Sequence, residues 1–220
     1  DRLIKFFKSS LGWLPGSTVL IVVILCAFFT ALTGGSGVTI LALGAILYPI
    51  LVHDGYSKRF SLGIITTAGS LGLLFPPSLP AIIYSVTAGI NPLELFRQAL
   101  IPAIFLMSIM FFYGLYMLPK NKKIEKFNFK NAYNSAKIAK WEIAIPVLII
   151  LSLFSGFATL VESAALLVLY VLIVELYIIK DVSLKDLPKI IIDCSTLVGG
   201  VLIILGFAMG FTGYLVDAQI

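Results

Sequence analysis

Charge is scarce in this sequence. Asp, Glu, Lys and Arg make up only 12% of its 220 residues, about half the share an ordinary soluble domain carries. Histidine occurs once, as His53, and cysteine twice, as Cys26 and Cys194. A single histidine cannot build a histidine-based metal centre or a chain of proton carriers. Two cysteines set far apart among apolar neighbours are expected to be inert buried thiols rather than a disulfide framework or a ligand pair. Acids are the scarcer sign, 11 against 16 basic residues, for a net charge of +5. That excess could suggest nucleic acid, but its placement along the chain argues for membrane topology, and no nucleic-acid partner is expected. The chain has no initiating Met and ends abruptly at Asp217-Ala218-Gln219-Ile220, which reads as an internal piece of a longer membrane protein.

What fills the space is apolar. Hydrophobic residues make up 60% of the chain, and the mean hydropathy is +1.06. The expected fold is an all-α polytopic membrane protein. Residues 1–16 form an amphipathic surface helix, with Leu3, Phe6, Phe7 and Leu11 opposite Arg2, Lys5 and Lys8. Residues 17–52 hold two apolar arms pinched at Thr33-Gly34-Gly35-Ser36-Gly37. Each uninterrupted apolar stretch falls short of the ~20 residues a spanning helix needs, which favours a re-entrant hairpin over two short crossings. Residues 60–90 form a span broken at Gly72-Leu73-Leu74-Phe75-Pro76-Pro77-Ser78-Leu79-Pro80. Transmembrane helices are expected at 98–118, 141–157, 162–179 and 190–216, with a lysine-rich loop at 119–140.

The positive-inside rule orients these segments. If the Lys120–Lys140 loop is cytoplasmic, the hairpin returns to its own side and the broken segment crosses once, every Lys and Arg except Arg97 lies inside. Turning the chain back at Pro76-Pro77 would invert that bias. The prolines are therefore expected to break a helix without reversing it.

The break has chemistry of its own. Pro lacks an N–H, so Pro76, Pro77 and Pro80 withhold helical bonds from the carbonyls of Gly72, Leu73 and Pro76. Such oxygens suit a hard cation like Na⁺. The second half-helix starts near Ser78, a good N-cap, where the positive end of the helix dipole favours anions. Short, interrupted hydrophobic segments point to a transporter's binding site. At the hairpin tip, Gly34, Gly35 and Gly37 permit sharp turns, while Thr33, Ser36 and Thr39 add hydroxyl oxygens. The plainer alternatives are a proline kink and a small-residue helix-packing patch. Glu162, Glu175 and Asp193 are read as capping or interfacial acids rather than mid-membrane proton carriers, so Na⁺ is preferred over protons as coupling ion.

Thr33-Gly34-Gly35-Ser36-Gly37-Val38-Thr39, with Ala42-Leu43-Gly44 and Tyr48-Pro49 following, resembles the first hairpin of the large membrane subunit of TRAP (tripartite ATP-independent periplasmic) transporters. Gly55-Tyr56, the run from Gly69 to Pro80, and Ile83-Tyr84 resemble that family's next broken helix. Gly156-Phe157-Ala158-Thr159-Leu160-Val161-Glu162-Ser163-Ala164-Ala165 resembles its Gly-x-x-Thr-Pro-Thr-Glu-Ala-Ala stretch, with Leu160 and Val161 in place of Pro and Thr. The resemblance implies an inverted-repeat, elevator-type transporter whose second repeat is incomplete here. It implies sodium-coupled import of small organic acids such as C4-dicarboxylates, sialic acid or other sugar acids across the bacterial inner membrane. The implied partners are a periplasmic substrate-binding protein and a small four-helix membrane subunit, separate or fused. By position, Thr33, Gly34, Ser36, Gly37, Gly72, Leu73 and Pro76 would surround Na⁺, and Gly35, Pro77 and Ser78 would face the substrate.

Three other functions compete. A sodium–carboxylate symporter of similar hairpin architecture would work without a binding protein. A channel or structural membrane subunit would need no coupling ion. An intramembrane serine protease could use the Gly-x-Ser-Gly pattern at Gly34-Gly35-Ser36-Gly37, but its nucleophile needs a neighbouring base, and His53 lies at the far end of the hairpin.

Overall fold

The structure, a computed structural model, describes residues 2–118, 129–154 and 158–218, and these are helical throughout apart from turns and short connections. Residues 119–128 of the lysine-rich stretch, together with Gly156 and Phe157, lie outside the described residues. The chain divides into two compact units, Asp1–Ala164 and Ala165–Ile220. The first holds α1 (Arg2–Leu11), α2 (Ser17–Thr33), α3 (Ser36–His53), α4 (Lys58–Leu71), α5 (Leu79–Thr87), α6 (Pro92–Tyr116), α7 (Phe129–Ile138), α8 (Lys140–Phe154) and the start of α9 (Leu160–Ile173). The second holds the rest of α9, its π-helical continuation Val174–Ile179, and α10 (Leu187–Asp217).

Many of these helices are rich in Val and Ile, residues of modest helix propensity in water. In lipid the choice is forced, because only a helix satisfies every backbone group within one segment. The surface has the matching pattern. Leu41 is 79% exposed and Phe207 77%, while Thr30, Thr39, Ser61 and Ser78 are fully buried. Apolar residues outside and hydroxyls inside are what a bilayer selects. By length and composition, α3, α6, Val161–Ile179 and α10 can each cross a membrane, and α4 with α5 can form a further, bent span. The protein is a multi-pass helical membrane protein.

Several boundaries differ from the sequence expectation. Polar and small residues at each end extend the hairpin arms to 17 and 18 residues, about 25 to 27 Å of helix. Arm length therefore favours re-entry over two short crossings less than the apolar stretches alone suggest. The expected loop at 119–140 contains a helix, α7, which packs against α1. Leu3, Ile4, Phe7 and Leu11 of α1 rest on the core formed by α2, α3 and α4, so protein covers much of the face expected to lie on lipid. Arg2 Nη1 reaches Glu142 Oε1 at 3.4 Å and ties α1 to the start of α8. Cys26 is buried as expected, but Cys194 is exposed on α10.

The first unit is built around α2, which packs against α1, α3, α4 and α6. At the end of the hairpin away from its tip, Thr18 Oγ1 donates to Asp54 Oδ2, joining the start of α2 to the residue after α3. Thr18 is 7% exposed and the Asp54 side chain 13%. Beside this clasp, burial and the Asp54 charge push the Tyr56 phenol up to about 12.

A buried hydrogen bond to a charged acceptor is worth about 1.5–3 kcal/mol. Thr18→Val should therefore lower the melting temperature of the detergent-solubilised protein by several degrees. Thr87→Val removes an exposed hydroxyl bonded only to its own helix, at Ile83 O, and should shift it by about a degree or less. Equal shifts for the two variants would show that the clasp does not join the hairpin arms.

Candidate functional site

The hairpin tip is made by Gly34 and Gly35. Gly34 adopts a left-handed backbone, φ 68°, and its N–H closes α2 on Thr30 O. Only glycine takes that conformation without strain. Gly35 then extends to cap α3, which starts at Ser36. Three oxygens converge there. Thr33 Oγ1 and Thr39 Oγ1 lie 3.2 Å apart, and each donates to Gly35 O at 3.4 Å. Thr33, Gly35 and Ser36 are partly buried, Gly34 and Thr39 are buried, and Gly37 is exposed.

The break follows from the prolines. α4 tightens into a 3-10 turn at Gly72–Leu74, then the chain extends at Phe75 and α5 restarts after Ser78. The Pro76–Pro77 peptide is cis. The two half-helices differ in direction by 40°, so the break bends the helix without reversing it. Tightening to 3-10 rescues one carbonyl, since Phe75 N donates to Gly72 O at 3.1 Å. Gly72 thus departs from the expectation of a free oxygen. Leu73 has no such rescue. Its α-helical partner is Pro77 and its 3-10 partner is Pro76, and neither carries an N–H.

Ser78 stands at the N-cap position of α5 but makes no capping bond with its side chain. Its hydroxyl is buried without a hydrogen-bond partner, as is that of Thr30. Leaving such a group unsatisfied costs about 1–3 kcal/mol. Pro76 and Pro77 border a different space, a cavity of about 340 Å³ lined by apolar side chains that include Ile24, Phe28 and Met107. Its lining suits neither an ion nor a carboxylate.

Tip and break meet through glycines. A methyl group placed on Gly34 would come within 2.8 Å of Leu79 Cβ at the start of α5. One placed on Gly69 would lie 2.7 Å from Ile40 and 3.5 Å from Ser36 O. The tip therefore touches Gly69 and Leu79, which flank the 72–78 stretch expected to meet it. The pairing is shifted, however. Gly72 packs on α2, where an added methyl would meet Thr30 Cβ at 2.4 Å and Ala27 O at 2.5 Å, and it is Gly69 that faces Ser36. Thr30 is absent from the sequence-derived set. A lone threonine in an apolar helix ordinarily bonds its own backbone, and nothing local marks this one as different.

Catalytic readings find no support in this geometry. Ser36 and His53 are the first and last residues of α3, about 26 Å apart along the helix. His53 Nδ1 instead lies 3.8 Å from Asp54 Oδ1. Among the described residues no group of three His, Cys, Asp or Glu side chains could hold a metal ion. Glu162 Oε2 accepts from Thr159 N and Thr159 Oγ1, and Glu162 N donates to Thr159 Oγ1. This reciprocal box starts α9 and bears out the capping reading of that acid.

The Gly72 contact yields a sharp contrast. Gly72→Ala forces a methyl into backbone as well as side chain, and should lower the melting temperature by several degrees. Gly37→Ala, with nothing within 4 Å of the new methyl, should change it by about a degree or less. Adding Thr30→Gly to Gly72→Ala should recover only part of the loss, because the Ala27 carbonyl stays in the way. Full tolerance of Gly72→Ala would mean that the break does not rest on α2.

Comparison with known proteins bears on the same residues. A family model described as tripartite ATP-independent periplasmic transporter, DctM component, matches residues 1–220. The chain is 30% identical to the C4-dicarboxylate TRAP transporter large permease protein of Pseudomonas aeruginosa, over 100% of this chain and 52% of that protein. It is 28% identical to the isethionate TRAP transporter permease protein DctMQ of Oleidesulfovibrio alaskensis, over 96% and 34%. It is 27% identical to the ectoine TRAP transporter large permease protein of Halomonas elongata, over 100% and 52%. The chain thus spans about half the length of two of these relatives and a third of the other. Matched along its whole length, it belongs to the DctM family of TRAP transporter large permeases.

Proposed function

We propose that the full-length protein is a sodium-coupled secondary importer of small organic acids in the bacterial inner membrane. In this reading it works with a periplasmic substrate-binding protein and a small membrane subunit, and the hairpin and broken helix move together as an elevator. The observation that carries the proposal is the Leu73 carbonyl, which no helical donor can reach, in a break that also buries the unpartnered Ser78 hydroxyl. The adjacent tip gathers the oxygens of Thr33, Gly35 and Thr39. Neutral oxygen ligands without a carboxylate suit a monovalent cation better than a transition metal. The start of α5 at Ser78 offers the positive end of a helix dipole to a carboxylate or sulfonate.

The names of the relatives bear on substrate and partners. C4-dicarboxylate and isethionate are small organic anions, and ectoine extends the range to a small zwitterion. Membership of a tripartite periplasmic family favours a binding protein over the binding-protein-independent symporter. The DctMQ name of the isethionate relative fits a small subunit that is fused in some proteins and separate in others. With Lys and Arg collected on one side, the 119–140 segment belongs in the cytoplasm.

In this mechanism Na⁺ binding holds tip and break together, and the closed pair presents the α5 N-terminus to the substrate. Ser36 opens α3 beside Gly69, and its hydroxyl is one oxygen among several. Ser36→Ala in the full-length protein should therefore raise the half-saturating Na⁺ concentration for uptake several-fold. High Na⁺ should restore most of the rate by mass action. The measurement is uptake into proteoliposomes with the small subunit and binding protein present, across a Na⁺ titration. An unchanged half-saturating concentration would remove the Ser36 hydroxyl from the ion site.

A further inference from the structure

At the far end of α4 from the break, α4 and the last turns of α6 enclose a second cavity, of about 440 Å³. Its lining is two-faced. Arg59 and Ser57 stand at the start of α4, while Ile64, Ile109 and Met110 line the rest, together with Thr67, whose hydroxyl is turned to its own helix and donates to Gly63 O at 2.8 Å. Phe60 and Tyr113 form an aromatic wall, their ring centroids 5.6 Å apart. The space remains open because α4 carries Gly63 there, with nothing within 4 Å of where its Cβ would be. No carboxylate lines the cavity.

Lys58 and Arg59 are exposed, and neither forms an ion pair among the described residues. An isolated surface arginine is ordinarily a solvated charge. Here it lines a slot between two membrane helices, next to an aromatic pair that includes Tyr113, a residue type enriched at membrane interfaces. Basic pockets between transmembrane helices, and basic clusters just outside them, recognise anionic lipid headgroups.

We propose that this groove binds an anionic phospholipid. The phosphate pairs with the Arg59 guanidinium, whose forked donors match phosphate oxygens. Ser57 lies within the same mouth, and one acyl chain lies along Ile64, Ile109 and Met110. The site is separate from the hairpin–break contact and does not depend on sodium coupling. A lipid held there would brace α4 against α6 at the end opposite the break.

The test uses the full-length permease purified in detergent, with phosphatidylglycerol and phosphatidylcholine as probes. Retention is read by native mass spectrometry, and melting temperature is followed alongside. The wild-type protein should retain phosphatidylglycerol in preference to phosphatidylcholine and melt higher in its presence. Arg59→Gln should weaken phosphatidylglycerol binding about fivefold, the effect of one basic side chain near an anionic surface, and remove the preference. Gly63→Leu fills the slot without altering charge and should weaken both lipids. Arg59→Lys keeps the charge and should keep most of the preference, which separates headgroup recognition from damage to the fold. Equal retention of both lipids by the wild type, or a preference that survives Arg59→Gln, would overturn the proposal. So would loss of phosphatidylglycerol when the small membrane subunit is added, with the Gly63→Cys variant cross-linking to that subunit. The groove would then be a subunit interface.

Discussion

The structure of the first unit depends on how closely backbones approach at glycines. In lipid, burying leucine against leucine gains little, because acyl chains are as apolar as the side chain. Helices are then held by dispersion contacts, which fall off steeply with any gap. Gly69 brings α4 against α3, Gly72 brings the break against α2, and Gly114 brings α6 against Val19. At each of these positions an added methyl would come within 3 Å of a neighbouring atom. α2 lies at the centre of these contacts, and both the hairpin and the broken helix take their positions from it.

That packing sets the chemistry. Since Gly72 rests on α2, the residues after it leave the helix at a fixed depth, and two consecutive prolines determine which oxygens remain free. A single proline would leave a 3-10 bond as an escape, and Gly72 takes that escape through Phe75. Leu73 faces proline at both the third and fourth positions ahead and has none. The buried hydroxyl of Ser78 adds a second unsatisfied group to the same short segment. Free polar groups are costly inside a membrane protein. Two such groups within one break, whose flanking residues Gly72 and Leu79 pack on the hairpin, are the physical argument for reading it as a binding site rather than a kink.

Features written in short stretches of sequence were legible beforehand. The turn at Gly34-Gly35, the break before Ser78 and the capping role of Glu162 follow from residues within a few positions of each other, whereas the absence of a reversal at the break was read from the placement of Lys and Arg along the whole chain. Features set by helix rotation were not. Successive residues on a helix point about 100° apart, so no local pattern reveals that Gly69 faces Ser36 while Gly72 faces Thr30. The Ser78 hydroxyl matched an N-cap by type, yet it does not cap. α7 was hidden for a different reason, since the lysines around it outweigh the amphipathic pattern within Phe129–Ile138. The exposure of Cys194 belongs to this group too, because apolar neighbours in sequence mean burial in a soluble protein but can mean a lipid-facing surface here.

The central claim is that the joined tip and break form a site for a monovalent cation, and the most direct measurement is the melting temperature of the purified full-length protein against Na⁺ concentration. Choline at matched ionic strength is the control. A ligand that binds only the folded state stabilises it by RT ln(1 + [L]/Kd). The account predicts a melting temperature that climbs with Na⁺ well beyond its change in choline. Identical curves in the two salts would contradict it, and would leave the glycines and prolines of this contact as packing and nothing more.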